Sequence, residues 1–277
     1  MFKKILAPVR GTHEDAAALD VGFLLARRFG ARVEAFYAAP SSPTSVTVDT
    51  VESKRSDEVA RLEGTELYLA ALALFSERLE RATSIVPQSS GLSACFSALP
   101  GPEADLVATN GRVSDLIITA HPAADEPSWP NLSLESAIRE TGCPVLLIPQ
   151  AVSRIGARVA IAWNGTVEVA RAVRFALPLL RESEQTLVVT VGKQQCKSTS
   201  AAELVEYLRC HGVKGESVVL PLQHGSESAA LLAECLARQA DLIVAGAFTR
   251  YRTERPTFGS MTQAMIMQTQ MPVFMAQ

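Results

Sequence analysis

The sequence predicts an α/β protein built from two tandem open parallel sheets, each of five strands with helices on both faces. Short apolar runs alternate with segments of helical periodicity, which is the pattern of parallel strands joined by crossover helices. The second half of the chain also repeats the landmarks of the first half. We therefore predict two copies of one domain, at residues 1–150 and 155–277 of the 277-residue chain.

Three pairs of matching segments carry this internal repeat. Both copies open on an apolar strand that ends in Gly-Thr, have a later apolar strand behind a single Asp, and close on a Pro-Val strand. The pairs are KKILAPVRGT (3–12) with ARVAIAWNGT (157–166), SDLIITA (114–120) with ADLIVAG (240–246), and Cys143-Pro-Val with Met271-Pro-Val. Such apolar runs are typical of strands that are buried on both faces of a parallel sheet.

The first copy carries an insertion that the second lacks. Gly11 and Gly165 are 154 residues apart, whereas Asp115 and Asp241 are only 126 apart. The first copy therefore holds about 28 more residues between these landmarks. We place them in a loop from Pro40 to Asp57, rich in Pro, Ser and Thr, and in the long helix that follows it.

Within each copy, strands and helices are predicted in alternating order. In the first copy, Thr12 is the expected cap of the first helix and Gly30 its end. The first-copy strands lie at 4–9, 32–39, 92–99 and 114–120, with helices at 14–29, 58–82 and 103–110. The second-copy helices lie at 167–180, 201–211, 226–239 and 261–268, and its strands at 157–162, 185–191, 216–222, 240–246 and from Pro272.

A glycine-containing segment follows the last buried strand of the second copy. Gly246 ends that strand, a polar and basic loop runs from Thr249 to Thr257, and Gly259-Ser260 opens a helix whose apolar positions start at Met261. A glycine lets a ligand approach the backbone, and the free N–H groups of a helix start suit an anion such as phosphate. The alternative is a helix start at which Ser260 serves only the backbone.

The spacing of this segment resembles the nucleotide motif of the universal stress protein family, which is Gly, two residues, Gly, nine residues, Gly, then Ser or Thr. Gly246, Thr249, Gly259 and Ser260 stand at those positions, so a threonine replaces the second glycine. KKILAPVRGT, IAWNGTVEVARAV and ADLIVAGAF extend the resemblance over nearly the whole chain, which looks like a tandem member of the family. The resemblance implies a Rossmann-like layer fold whose ligand lies outside the carboxyl ends of the strands.

The resemblance further implies that the second copy binds an adenine nucleotide, ATP or AMP. In family members that hold ATP, an acidic residue after the first strand contacts the adenine end, a residue ending the second strand packs on the base, and the glycine motif holds ribose and phosphates. Asn164 stands at the acidic position and Val191 at the packing position, and Met261 follows the motif. Trp163, beside Asn164, is either a ligand contact or core packing at a strand end.

The first copy departs much further from the motif. Arg10 occupies the acidic position, Ala120 replaces the first glycine, Ala123 stands near the second, and Asn131-Leu132 replaces Gly-Ser. We therefore expect a degenerate site in this copy. Arg10 is expected in an ion pair, with binding of a different anion as the alternative.

Composition narrows the class of protein. With 48% hydrophobic residues, no apolar run reaches the roughly 18 residues that span a bilayer, and no secretory leader is evident, so we expect a cytoplasmic protein without a membrane partner. A net charge of −3, with both signs interspersed, argues against nucleic acid. Five scattered cysteines and four histidines lack metal-ligand spacing, so we expect reduced thiols and no metal.

Two main functions remain after these exclusions, with weak ATP hydrolysis as a minor third option. Phosphate-loop, nucleophile-elbow and H-E-x-x-H motifs are absent from the sequence, so we predict that the chain is not an enzyme. The first function is a stress-response protein that binds ATP or a related nucleotide in its second copy and regulates an unknown protein partner. The alternative is an interaction scaffold, or a binder of apolar small molecules, with decayed nucleotide sites.

The closing strand of each copy predicts how the copies associate. An unpaired edge strand is an aggregation hazard, so CPVLLIPQ and MPVFMAQ are expected to pair with each other or with another chain. The first arrangement makes a pseudo-dimer within one chain. The second makes a homodimer.

Overall fold

The structure, a computed structural model, describes residues 1–39, 65–84, 91–121, 132–192, 199–221, 226–247, 249–250 and 257–277. The loop predicted from Pro40 to Asp57 lies outside the described residues, as do Ala123 and Asn131. The chain forms two compact units. One contains Met1–Ala120 and Glu126–Cys143, and the other contains His121–Asp125 and Pro144–Gln277.

The first unit is a parallel sheet with helices on both faces. Its strands are β1 (Lys4–Pro8), β2 (Arg32–Ala39), β3 (Ser93–Pro100) and β4 (Leu116–Ala120), and its helices are α1 (Asp15–Phe29), α2 (Glu66–Ser84), α3 (Glu103–Gly111) and α4 (Leu132–Glu140). The strand order is β3-β2-β1-β4. Because right-handed crossovers change face where the strand order reverses, α1 packs with α2 and α3 packs with α4.

The second unit repeats this arrangement and has further strands. The sheet strands are β5 (Val145–Ile148), β6 (Arg158–Ala162), β7 (Gln185–Val191), β8 (Gly215–Leu220), β9 (Leu242–Gly246) and β12 (Val273–Ala276). Their order in the sheet is β5-β12-β9-β6-β7-β8, and the described residues of this unit also form helices and a two-stranded ribbon. The helices are α5 (Val167–Leu180), α6 (Ala201–Cys210), α7 (Glu227–Ala237) and α8 (Ser260–Gln268), and the ribbon is β10 (Thr249–Arg250) with β11 (Thr257–Phe258).

The two closing strands pair with each other, as predicted. β5 lies antiparallel to β12, with Leu147 opposite Val273 and Val145 opposite Met275. In the described residues each copy supplies five strands to the sheets, but the compact units hold four and six. β5 belongs to the first copy in sequence and to the second unit in structure, because its partner β12 lies there. The division into compact units therefore differs from the division into sequence copies, and the domain bounds 1–150 and 155–277 stay a prediction.

One aspartate in each copy anchors the first strand. Asp115 Oδ2 accepts hydrogen bonds from the N–H groups of Lys3 and Lys4 (2.7 and 3.0 Å). The carboxylate of Asp241 accepts from the two residues at the start of β6 in the same way (3.2 and 3.0 Å). This shared contact explains why a single Asp precedes an otherwise apolar strand in both copies.

Two local predictions are corrected by the structure. Thr12 does not cap α1, which begins at Asp15 without a side-chain cap, because Asp15 itself turns back onto the loop N–H groups. The predicted loop from Thr249 to Thr257 begins and ends in strands, since Thr249 pairs with Phe258 and Arg250 with Thr257. Strands of two residues are too short to show an apolar alternation in the sequence.

Candidate functional site

The structure brings four of the predicted site residues to one edge of the second unit's sheet. β9, β6 and β7 are adjacent and parallel, so their carboxyl ends share that edge. Gly246 ends β9, Val191 ends β7, and Trp163 and Asn164 directly follow β6. Since neighbouring strands lie about 4.8 Å apart, this edge spans about 10 Å from Gly246 to Val191.

The segment from Gly246 to Ser260 leads into the start of α8. The β10–β11 ribbon turns the chain back, and Gly259 follows directly as the N-cap of α8, with an extended backbone (φ −64°, ψ 157°). Gly259 is buried, and its carbonyl accepts the first helical hydrogen bond, from Gln263 N–H at 2.9 Å. Ser260 is the exposed first residue of the helix, and Met261 is half-buried behind it.

The start of α8 is electrostatically unlike the other helix starts. It has no side-chain cap and no acidic residue in its first turn. Each of the other seven helices in the described ranges carries Asp or Glu there. The partial positive charge of the α8 start therefore meets no protein carboxylate from its own first turn, and this start suits an anion held by the N–H groups of Ser260 and Met261.

Gly246 has a different role from the one its motif position predicts. A Cβ placed on this glycine would lie 2.6 Å from Val169 N and 3.0 Å from Glu168 Cβ. The missing side chain therefore lets the first turn of α5 pack against the end of β9. That a ligand also approaches this backbone stays a prediction.

Asn164 is exposed and forms part of the turn that leads into α5. Its Oδ1 accepts a hydrogen bond from Thr166 N–H at 3.1 Å, across Gly165, whose φ of 75° favours glycine. Within the described part of the chain its side-chain nitrogen donates to no protein group. This N–H₂ group can therefore donate to a ligand without first breaking a hydrogen bond to a described residue.

Trp163 is part of the core. Its side chain is 5% exposed, and its Nε1–H donates to the carbonyl of Thr199 at 2.8 Å, just before α6 begins. In the first unit Tyr37, 6% exposed, lies edge-on to Tyr68 of α2, with ring centroids 6.2 Å apart. In both copies an aromatic side chain at a strand end thus holds the second helix, which favours the core-packing interpretation of Trp163.

The aromatic side chain lies on non-equivalent strands in the two copies. Trp163 N–H bonds Val189 O, as Val9 N–H bonds Phe36 O, so the pair Trp163 and Thr190 stands where the first unit has Val9 and Tyr37. One large and one small side chain fill the space in each case. The hydroxyl of Thr190 is buried and has no hydrogen-bond partner in the described part of the chain, as expected where a small polar residue stands beside a large apolar ring.

The corresponding edge of the first unit is filled by its own carboxylate. Asp15 is 5% exposed, and its Oδ2 accepts hydrogen bonds from the N–H groups of Arg10, Gly11 and Thr12 at 2.8, 3.0 and 3.1 Å. Burial raises the pKa of Asp15, and the three backbone donors oppose that shift. An internal carboxylate thus sits where a loop of converging N–H groups accommodates an anion.

Two further contacts close the same edge. Arg10 makes a two-pronged ion pair with Glu103, Nε to Oε2 and Nη2 to Oε1 both at 3.0 Å, which agrees with the ion-pair interpretation of Arg10. The backbone of α2 lies over Gly11, because a Cβ on this glycine would be 2.8 Å from Leu67 O and 3.0 Å from Ala71 N. With 19 residues against 10 in α6, α2 is about 13 Å longer, which accounts for part of the insertion.

The described histidine and cysteine side chains form no metal-binding cluster. Among the described residues no group of three or more His, Cys, Asp or Glu could hold a metal ion. Cys143 and Cys235 are buried free thiols whose pKa values burial raises to about 12, so they are unreactive near neutral pH. Cys196 lies outside the described residues. None of the described helices is both long and apolar enough to cross a bilayer.

Sequence reasoning missed one residue at the second unit's edge, Glu168. It lies in the first turn of α5, is half-buried, and adjoins Gly246. No sequence pattern indicates Glu168, because its position beside Gly246 depends on how closely α5 packs on β9. Only a comparison with Glu14, which stands 154 residues earlier, could have drawn attention to it.

Comparison with known proteins follows the same division into two copies. The profile of the universal stress protein family matches residues 1–121 and 150–277. A universal stress protein from Archaeoglobus fulgidus DSM 4304 is similar in structure, with a TM-score of 0.70 and 14% identity over 99% of this chain and 98% of that one. A functionally unknown protein from Pseudomonas aeruginosa PAO1 has a TM-score of 0.59 and 13% identity over 99% and 92%. Among curated proteins, no significant match is found.

Proposed function

This chain belongs to the universal stress protein family, and from that premise we propose that it binds ATP or a related adenine nucleotide in its second copy. In the proposed complex the N–H groups at Gly259, Ser260 and Met261 hold the phosphates. Asn164 and Val191 contact the adenine end. Thr249 takes the place of the second motif glycine, and Trp163 supports the edge from the core.

The start of α8 is the observation that carries this proposal. Its first turn has neither an acidic side chain nor a side-chain cap, so a phosphate there meets backbone donors and no repelling carboxylate from that turn. The ribbon before it fixes the approach of the chain through the Thr249–Phe258 pairing. Gly259 is buried at the N-cap, where a larger side chain would crowd an anion.

The same reasoning excludes the first copy from the proposal. Asp15 already occupies the converging N–H groups of its loop, Arg10 is paired with Glu103, and α2 covers Gly11. A nucleotide there would have to displace a buried carboxylate and a helix. We therefore expect one nucleotide per chain.

We propose further that the bound nucleotide acts as a signal and is not consumed. The sequence contains none of the catalytic motifs tested above, so the proposed role is that of a cytoplasmic, non-enzymatic stress-response protein. Its ligand state is proposed to change the affinity for an unidentified protein partner, with a second copy of the chain as a further partner.

One observation favours the alternative function, a scaffold whose nucleotide sites have decayed. The space beside Gly246, the first glycine of the motif, is taken by the first turn of α5. If that packing also excludes a ligand, α8 and the ribbon provide only a surface for other proteins. The two functions differ in whether any nucleotide binds.

Calorimetric titration with ATP, AMP and cyclic AMP tests the proposal. We expect one site per chain, abolished by Gly259→Val, with an unchanged far-UV spectrum showing that the variant is folded. The matched first-copy variant, Arg10→Gln, should keep the wild-type affinity. No binding at millimolar nucleotide, together with no nucleotide in mass spectra of the purified protein, would leave only the scaffold.

A further inference from the structure

We propose that Glu168 selects the sugar of the bound nucleotide by accepting a hydrogen bond from a ribose hydroxyl. This inference rests on the proposed function. Glu168 lies in the first turn of α5, and its Cβ is 3.0 Å from where a Cβ on Gly246 would be. The backbone end of the Glu168 side chain therefore lies beside the first glycine of the motif, at the carboxyl end of β9.

The carboxylate of Glu168 is not engaged by the protein. Within the described ranges it makes no hydrogen bond or ion pair. Its first-copy counterpart, Glu14, is engaged by neighbours: its Oε1 is 3.2 Å from His13 Nε2, and a hydrogen bond with the Thr12 side chain lowers its pKa. Val167 stands at the position of His13 in the second copy, so that copy lacks the imidazole.

A carboxylate at this place suits the ribose and neither the phosphates nor the base. Carboxylates accept hydrogen bonds and repel phosphate oxygens, so the contact must be with a neutral donor. The proposed base contact, Val191, is two strands away from Gly246, or about 10 Å. The ribose lies between the base and the phosphates, and its 2′- and 3′-hydroxyls are donors to which a carboxylate makes strong, charge-assisted hydrogen bonds.

The test compares ATP with 2′,3′-dideoxy-ATP, which lacks both hydroxyls. Hydrogen bonds to charged groups are worth about 1.5–3 kcal/mol, so the wild-type protein should bind ATP about 10- to 100-fold more tightly. In Glu168→Ala that ratio should fall at least fivefold, through weaker ATP binding. Glu168→Gln, which keeps the size of the side chain, should give an intermediate ratio, and Glu14→Ala should leave the ratio unchanged.

The outcomes separate this inference from the function on which it rests. If wild-type protein binds no ATP, the proposed function fails and the inference with it. If ATP binds but Glu168→Ala keeps the wild-type ratio, only the inference fails. If Glu168→Ala instead loses a preference for ATP over inosine triphosphate, Glu168 contacts the base, and the ribose assignment is overturned.

Discussion

The two copies share a sheet and an anchoring aspartate but differ at the carboxyl edge. Asp115 and Asp241 hold the first strand of each copy with the same pair of backbone hydrogen bonds. At the opposite end, the first copy turns its own carboxylate, Asp15, onto the loop after β1 and lays α2 across Gly11. The second copy has Val169 in place of Asp15 and an α8 start without an acidic residue.

The same fold thus carries two differently built edges. Backbone N–H groups at a strand end need an acceptor, and either a ligand or a nearby side chain can provide one. In the first copy the side chain does so, and the edge is satisfied without a ligand. The four predictions that follow test how far the two edges differ, in order of decreasing effect.

Trp163 should have the largest effect on stability. Trp163→Val leaves a cavity beside Thr190 and removes the hydrogen bond to Thr199, so we expect a loss of about 3 kcal/mol in the free energy of unfolding. Chemical denaturation followed by far-UV circular dichroism measures this loss. A loss below about 1 kcal/mol would mean that Trp163 is not a core residue.

The double variant Trp163→Val/Thr190→Tyr tests directly whether the aromatic side chain can move from the end of β6 to β7. Thr190→Tyr alone should destabilise by about 1–3 kcal/mol, because the site already holds the indole. Combined with Trp163→Val, it recreates the first-copy pair of Val9 and Tyr37 and should cost at least 1 kcal/mol less than the sum of the single changes. Additive effects would show that the two positions are not equivalent in the two copies.

Gly246 and Ala120 are the second pair to compare. Gly246→Ala places a Cβ 2.6 Å from the backbone of Val169, so the first turn of α5 must shift, and we expect a loss of about 2–3 kcal/mol together with weaker nucleotide binding. The reverse change in the first copy, Ala120→Gly, should cost only about 0.5–1 kcal/mol. Equal losses would show that α1 packs against β4 as closely as α5 packs against β9.

Asp15→Asn is predicted to have the next largest effect on stability. Asp15→Asn keeps the shape of the side chain but replaces a carboxylate that accepts three N–H groups, so we expect a loss of about 2 kcal/mol. Thermal and urea unfolding measure it. Asp20→Asn, on the exposed face of the same helix, is the control and should cost less than 1 kcal/mol despite its contact with Arg78. A stable Asp15→Asn variant would contradict the view that this edge needs an internal acceptor.

Most of the fold could be predicted from the sequence. Buried parallel strands appear as apolar runs, and the repeat of Gly-Thr, Asp and Pro-Val predicts which segments of the two copies are equivalent. α5 and β7 have the bounds predicted, Val167–Leu180 and Gln185–Val191. The pairing of the two closing strands also followed, since uncharged edge strands need a partner.

The chemistry of the edges could not be predicted, because it depends on contacts between residues far apart in the sequence. Arg10 and Glu103 meet only when β1 and α3 are assembled, and Leu67 reaches Gly11 only through the extra length of α2. The return of Asp15 onto its loop replaced the expected cap by Thr12. Spacing identified Gly246 as a motif residue but not the helix that packs against it.

His121 gives the smallest and most specific prediction. It stands where the second copy has Ala247, since His121 N–H bonds Ile148 O as Ala247 N–H bonds Ala276 O. Its Nδ1 lies 3.1 Å from Ile266 O in α8, so the neutral ring donates there, and its buried Nε2 has no partner among the described residues. Burial lowers the pKa of His121 to about 4, because a charged imidazolium would lose its hydration.

Stability should therefore fall as the pH drops through the range from 6.5 to about 4, because the unfolded chain takes up a proton at His121 before the folded chain does. His121→Asn keeps a side-chain donor for Ile266 O but does not titrate. Between pH 7.5 and 5.5 the wild type should lose about 1.4 kcal/mol relative to this variant, measured by urea unfolding at both values. Parallel losses in the wild type and His121→Asn would show that His121 does not contribute to the pH dependence.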